Sequence, residues 1–275
     1  MTTPILSQLF IYPVKSLTGI AVNQWQVSQT GLLYDRKWML IDANNHFLSQ
    51  RTLPRMALIH TALTEDSLIL SAPQMADMAI PLQPEGGEQV LSQIWQDACW
   101  AQAVSSEVDL WFSTFLKIPC RLVYQPQQAI RPVDPQYASA TDQVSFADGF
   151  PFLGVSAASL TALNQAMGLE LGMERFRPNL VFENCAPYSE DSWREICIAG
   201  IHFTLPKPCS RCAVPAIDPQ TGMTGKEPLT TLNKLRKWQN KVYFGQNALH
   251  DRIGLLTCGD AVTILRVGHS QPPLS

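Results

Sequence analysis

No stretch of this 275-residue chain approaches the roughly 18 uninterrupted apolar residues of a membrane-spanning helix. Its start, Met1-Thr2-Thr3-Pro4-Ile5, carries no basic region followed by a long apolar run, so no secretory leader is expected and the chain is read as cytoplasmic. A surplus of charge is missing too. Lys and Arg number 20 against 23 Asp and Glu, a net charge of -3, which offers neither a nucleic-acid track nor a polybasic face for a membrane. The seven cysteines are odd in number and form no regular framework, which fits reduced thiols in a reducing compartment. The five histidines, His46, His60, His202, His250 and His269, stand alone, without a neighbour to act as a general-base pair. There is no Gly-x-Gly-x-x-Gly loop, Walker loop, His-Glu-x-x-His helix or Gly-x-Ser-x-Gly elbow, which removes the commonest nucleotide, zinc-protease and hydrolase signatures.

What remains is a globular composition, 46% hydrophobic and 16% charged, long enough for one large or two modest domains. Short strand signals outnumber helix signals and turn residues punctuate them closely. Strands are expected at 5–12, 19–27, 37–41, 46–49, 59–63, 68–70, 121–124, 180–182, 195–198, 201–205, 242–244, 249–253 and 261–267. A helix is expected after Ser105 or Ser106, because Val108, Trp111, Phe112, Phe115 and Leu116 share one face and Ser106 with Asp109 resembles a capping pair. That aromatic stripe reads as core. A second helix spans 156–167. The polar, proline-bearing stretch that begins at Gln125-Pro126 suggests a boundary between domains at 1–125 and 126–275. The fold class is mainly β with some helices, and barrels or sandwiches suit it better than a doubly wound sheet.

The segment with most chemistry is Pro206-Lys207-Pro208-Cys209-Ser210-Arg211-Cys212, two thiols around an arginine in a proline-stiffened turn after the strand 201–205. A guanidinium beside a sulfur favours the thiolate, the form that ligates metal or acts as nucleophile. Structural zinc would want four ligands, and the other cysteines are scattered singly. A thioredoxin-like pair should open a helix, whereas 213–217 reads as a short strand broken by proline. Two buried, unreactive cysteines remain an alternative. Cations also gather at strand ends: Lys15 with Ser16 in Tyr12-Pro13-Val14-Lys15-Ser16, Arg36 in Asp35-Arg36-Lys37, and Arg177 in Phe176-Arg177-Pro178-Asn179. Convergent charge-assisted donors suit an oxyanion; separately, each reads as a solvated surface charge.

These segments, with Pro151-Phe152-Leu153, Ser156, Glu190-Asp191-Ser192-Trp193 and Asp218-Pro219-Gln220-Thr221-Gly222, occur in an order that resembles the molybdenum cofactor sulfurase C-terminal (MOSC) family with its N-terminal β-barrel domain. The likeness runs over about residues 4–267, and within the family it is to the mitochondrial amidoxime reducing component and its bacterial relatives. The resemblance implies a molybdenum cofactor (molybdopterin), with no need of pyridoxal phosphate. Cys212 matches the protein ligand to molybdenum, and Lys15, Ser16, Arg36, Arg177, Asn179 and Ser210 match cofactor-contacting positions. Arg211 is expected to help hold the Cys212 sulfur ionised, and Cys209 has no ligand role. The implied reaction reduces a small N-oxygenated substrate, an amidoxime, hydroxylamine or N-hydroxylated base, to the amine. Some bacterial relatives carry a C-terminal iron-sulfur domain, but the last cysteine here, Cys258, stands alone. Electrons are therefore expected from a separate flavin or iron-sulfur reductase, unless a further segment lies beyond this sequence. The alternatives are a carrier of molybdenum cofactor or sulfur without its own turnover, and a scaffold that has lost the cofactor.

Overall fold

In the computed structural model, which describes residues 3–273, the chain is mainly β, with three α-helices and several short 3-10 turns. The principal sheet has nine strands. Along its main path the order is Val262–Val267, Trp193–Ile198, Ile201–Ser210, Lys241–His250, Phe152–Ser156, Leu180–Glu183, Ile5–Ile11 and Ile20–Val22, with Lys237–Trp238 paired off Lys241–His250. The first strand of the chain thus pairs antiparallel with Leu180–Glu183. In return, Gly254–Thr257 pairs with Gln24–Ser28. Strands from the two ends of the sequence are exchanged, and this brings the residues that follow Ile11 beside those that precede Leu180. One neighbouring pair is parallel, Phe152–Ser156 with Leu180–Glu183, and the helix Ala157–Met167 makes the crossover that a parallel pair requires. A four-stranded antiparallel sheet, Trp38–Ile41, Arg121–Tyr124, Asp97–Ala103 and Gln89–Ile94, and a hairpin-built sheet, His60–Leu63, Ser67–Ser71 and Met78–Pro81, complete the other lobe.

The helix Ser106–Leu116 buries Val108, Trp111, Phe112, Phe115 and Leu116, the stripe its spacing predicts. Each such side chain is worth roughly 1.5–3 kcal/mol of transfer. The cap lies one residue earlier than the expected pair: Ser105 Oγ accepts from the Val108 amide, and Asp109 instead accepts from Leu122 N at 2.7 Å, fastening the helix to its neighbouring strand. Ser156 caps the second helix by accepting from Ser159 N, and Gly168, at φ +65, ends it in the left-handed conformation that glycine takes without strain. Several expected strands change. The stretch 19–27 divides into Ile20–Val22 and Gln24–Ser28, and 242–244 merges with the start of 249–253 into one ten-residue strand, Lys241–His250. Residues 46–49 form only isolated bridges. The hairpin Gln89–Ile94 and Asp97–Ala103 was not expected, although its burial alternates residue by residue along the first strand.

Candidate functional site

The strand exchange builds a cleft lined by Lys15, Arg36, Arg51, Arg177 and Arg211, with Asp148 the only carboxylate among the lining residues. Five cations facing one anion, on a chain whose net charge is -3, is a local reversal of sign. The cations arrive from separate segments. The strand Ile5–Ile11 runs into Tyr12-Pro13, and Lys15 is fixed by its amide donating to Trp38 O at 2.8 Å. Its buried ammonium donates to Phe146 O at 2.8 Å and Asp148 Oδ1 at 2.6 Å. Burial lowers the Lys15 pKa against the pull of Asp148. Asp148 sits within the concave cleft yet remains open to water; what desolvation adds there is outweighed by the Lys15 ammonium and Arg51, which hold its carboxyl well below the usual range. The loop behind this pair is anchored by Arg131, buried, which donates to Ser145 O at 2.9 Å and Ala147 O at 2.6 Å.

Arg36 and Arg177 both stack on one ring. Their guanidiniums lie 4.2 and 4.3 Å from the Tyr12 centroid, a buried pair of cation–π contacts that offsets the crowding of like charges. Arg36 also donates to Asp35 Oδ2 at 2.6 Å, Asn179 Oδ1 at 3.2 Å and Arg177 O at 3.2 Å, and Arg177 to Leu17 O at 2.5 Å. Burial and the nearby Arg36 charge push the Arg177 pKa down to about 10, so it stays cationic at neutral pH. Burial drives the Tyr12 phenol up, and its hydroxyl has no hydrogen-bond partner among the described residues. Ser16, Arg36 and Arg177 all hold positive φ, at 68, 49 and 55. Non-glycine residues in that region cost energy and cluster where a site over-determines the backbone.

The thiols fall differently from expectation. The strand Ile201–Ser210 runs through Cys209, so the proline-rich segment is extended chain rather than a turn, and residues 214–216 form a 3-10 turn rather than a strand. In extended chain, residues two apart share a face. Arg211, the first residue past the strand, donates to Cys209 Sγ, two positions back, at 3.0 Å and to Phe176 O at 2.8 Å, and it lines the cleft together with Cys212. Its Nε is buried without a hydrogen-bond partner among the described residues. Cys212 is exposed and lines the cleft beside Val214. Among the described residues no group of three or more His, Cys, Asp or Glu is placed to hold a metal ion.

Of the residues singled out in the sequence, Lys15, Ser16, Arg36, Arg177, Asn179, Arg211 and Cys212 meet at this cleft. Ser210 does not: it is exposed and its backbone pairs with Tyr243. Asn179 is fully buried, and its side chain is spent on Arg36, Leu153 N and Phe10 O, which makes it a brace for Arg36. Sequence reasoning missed Arg51, Asp148 and Asn247. Arg51 follows a predicted strand, the same signal that drew attention to Lys15; it stacks on Trp95 at 4.0 Å. Asp148 lies just after a stretch with no motif.

The sequence matches the MOSC N-terminal beta barrel domain over residues 3–119 and the MOSC domain over residues 141–263. It is 33% identical over 280 residues to mitochondrial amidoxime-reducing component 1 of Mus musculus, covering 94% of this chain and 82% of that protein, and the Homo sapiens counterpart gives the same figures. Against molybdenum cofactor sulfurase of Homo sapiens the identity is 30%, over 91% of this chain but only 30% of that longer protein. Both domains in order, with a third of positions shared along nearly the whole length, place the chain in the MOSC family, as a member with the N-terminal β-barrel domain.

Proposed function

We propose that the protein reduces N-hydroxylated small molecules, such as amidoximes, hydroxylamines and N-hydroxylated bases, with a bound molybdenum cofactor. The observation that carries this reading is an exposed thiol, Cys212, in the wall of a strongly cationic cleft. The residues fit the cofactor. Its phosphate would meet Lys15, Arg36, Arg51 and Arg177, the orphaned Arg211 Nε supplies a free donor, and Cys212 is the soft ligand that suits molybdenum already bound by sulfur. When bound, the cofactor would supply the two-electron chemistry of R–NHOH + 2e⁻ + 2H⁺ → R–NH₂ + H₂O. The chain's own part is to bind and orient. Asp148, ionised and open to water, can accept a hydrogen bond from the substrate N–OH. Asn179 and Asp35 hold Arg36 in place. The electron donor in this reading is a separate flavin or iron-sulfur reductase, and the cytoplasm is the compartment.

Loaded with cofactor, the chain should reduce a hydroxylamine with a small-molecule donor, but not with a nicotinamide nucleotide alone; adding a flavin- or iron-sulfur-containing reductase should restore nucleotide-dependent turnover. Nucleotide-driven turnover by the chain alone would overturn the donor assignment. Full molybdenum loading without turnover from any donor would favour a cofactor carrier.

Lys15→Ala and Arg177→Ala should each lower cofactor occupancy by roughly tenfold or more, since a hydrogen bond to an ionised group is worth about 1.5–3 kcal/mol. Melting of the cofactor-free forms should move little, because relief of a desolvated charge offsets the lost bonds to Phe146 O, Asp148 Oδ1 and Leu17 O, and Asp148, open to water, is not left as a stranded buried charge. Molybdenum and pterin analysis of the purified variants, beside their melting curves, checks this. Unchanged occupancy in both would return the two residues to a structural role.

A further inference from the structure

The segment that sends Arg36 into the cleft sends Tyr34 and Lys37 into a second cavity, which shares no lining residue with the first. Its volume of about 450 Å³ falls in the range of small-molecule sites, roughly 300–1,000 Å³. The walls are neutral: five glutamines, hydroxyl and apolar residues, with Lys37 the only charged residue in the lining. Lys37 takes part in none of the ion pairs among the described residues. Its ammonium is met by one neutral acceptor, Gln125 Oε1 at 3.2 Å. Gln125 is fully buried and its amide nitrogen is committed to Ala129 O at 3.1 Å and Val144 O at 3.4 Å, so the oxygen is fixed toward Lys37. A largely buried ammonium with only an amide for company is costly, and an anion in the cavity would remove that cost.

We propose that this cavity binds a small organic monocarboxylate, with the carboxylate on Lys37 and an apolar body against Tyr34 and Tyr124. One cation among neutral walls matches one negative charge, whereas the five-cation cleft suits a phosphate. The rings of Tyr34 and Tyr124 flank Trp38, with centroids 6.1 and 5.2 Å from it, and give the body of the ligand an aromatic wall. The other titratable groups facing Lys37 are Cys99, Tyr34 and Tyr124, and the Arg131 guanidinium near Cys99 is paired with Asp97. Burial raises both the Cys99 thiol and the Tyr124 phenol, so neither supplies a competing negative charge near neutrality. Burial pushes Lys37 down to about 8, so carboxylate affinity should be level below that pH and fall with deprotonation of Lys37 above it. The site stands independently of the molybdenum reading.

Calorimetric titration of the full chain with benzoate, and with uncharged benzamide as its isostere, tests the proposal. Benzoate should bind saturably with one site per chain and roughly tenfold or more tighter than benzamide, the advantage of a charge-assisted bond. Lys37→Gln should abolish that advantage. Lys37→Arg should keep it and remove the decline above pH 8, because a guanidinium stays charged. Should Lys37→Gln fold poorly, the Lys37→Arg pH profile decides alone. Equal affinity for benzoate and benzamide, no saturable benzoate binding at millimolar concentration, or an unchanged pH profile in Lys37→Arg would each overturn the carboxylate site.

Discussion

Cys212→Ser is expected to abolish molybdenum-dependent reduction, while Cys209→Ser keeps most of it. Loss of groups that merely support a metal ligand costs about 10–100-fold, so loss of the ligand itself should reach at least the top of that range. Serine is a harder and far less acidic donor than cysteine, and it cannot replace a soft thiolate toward a sulfur-ligated metal. The two thiols differ in surroundings as well as in order. Cys212 is exposed in the cleft wall, whereas Cys209 is half-buried against the cluster around Phe176 and Phe244 and already accepts from Arg211 Nη1. A serine at 209 can go on accepting that bond. Steady-state reduction with a small-molecule donor, normalised to molybdenum content, separates the variants. Equal loss in both would mean that the thiols act together as a redox pair, with neither serving as the single ligand.

The cations of the cleft were legible one at a time, because lysine and arginine at strand ends are an anion-site pattern. Their convergence was not. It depends on Ile5–Ile11 pairing with Leu180–Glu183, a contact across more than half the chain that no local periodicity encodes. Arg211 shows the reverse error. Adjacency in sequence suggested that its charge served Cys212, but the hydrogen bond its guanidinium makes to a thiol goes to Cys209, two positions back. That outcome was within reach had the strand been continued through Ser210. The prolines at 206 and 208 argued for stopping it, and the ladder tolerates them through register shifts against Lys241–His250. Asp148 carried no signal, since its role comes from the Lys15 ammonium 133 positions away.

Arg236→Ala should destabilise the fold by about 3–5 kcal/mol, the cost of leaving one member of a buried ion pair uncompensated. Arg236 and Asp191 are both buried, 2.5 Å apart, and Gln246 Nε2 donates to the other Asp191 oxygen at 2.8 Å. Glu190, next in the same turn, accepts from Ser156 N and Ser159 Oγ at the start of the helix Ala157–Met167. This network therefore joins the Ser189–Ser192 turn to the helix and to the strand Lys241–His250, whose alternation sends Gln246 to the turn and Asn247 to the cleft. For a chain of this size the loss corresponds to a melting shift of roughly 6–20 °C. Burial pushes the Asp191 carboxyl up despite the adjacent guanidinium, so desolvation outweighs the attraction between the partners. The ion pair as a whole then adds little net stability, and the penalty belongs to the unpaired charge. Asp191→Asn combined with Arg236→Met, which keeps an acceptor for Gln246 and removes both charges, should accordingly recover more than half of the loss. Thermal melts of the single and double variants at pH 7 decide it: a double variant as unstable as Arg236→Ala would show that the pair itself, and not the stranded carboxylate, holds the turn against the sheet.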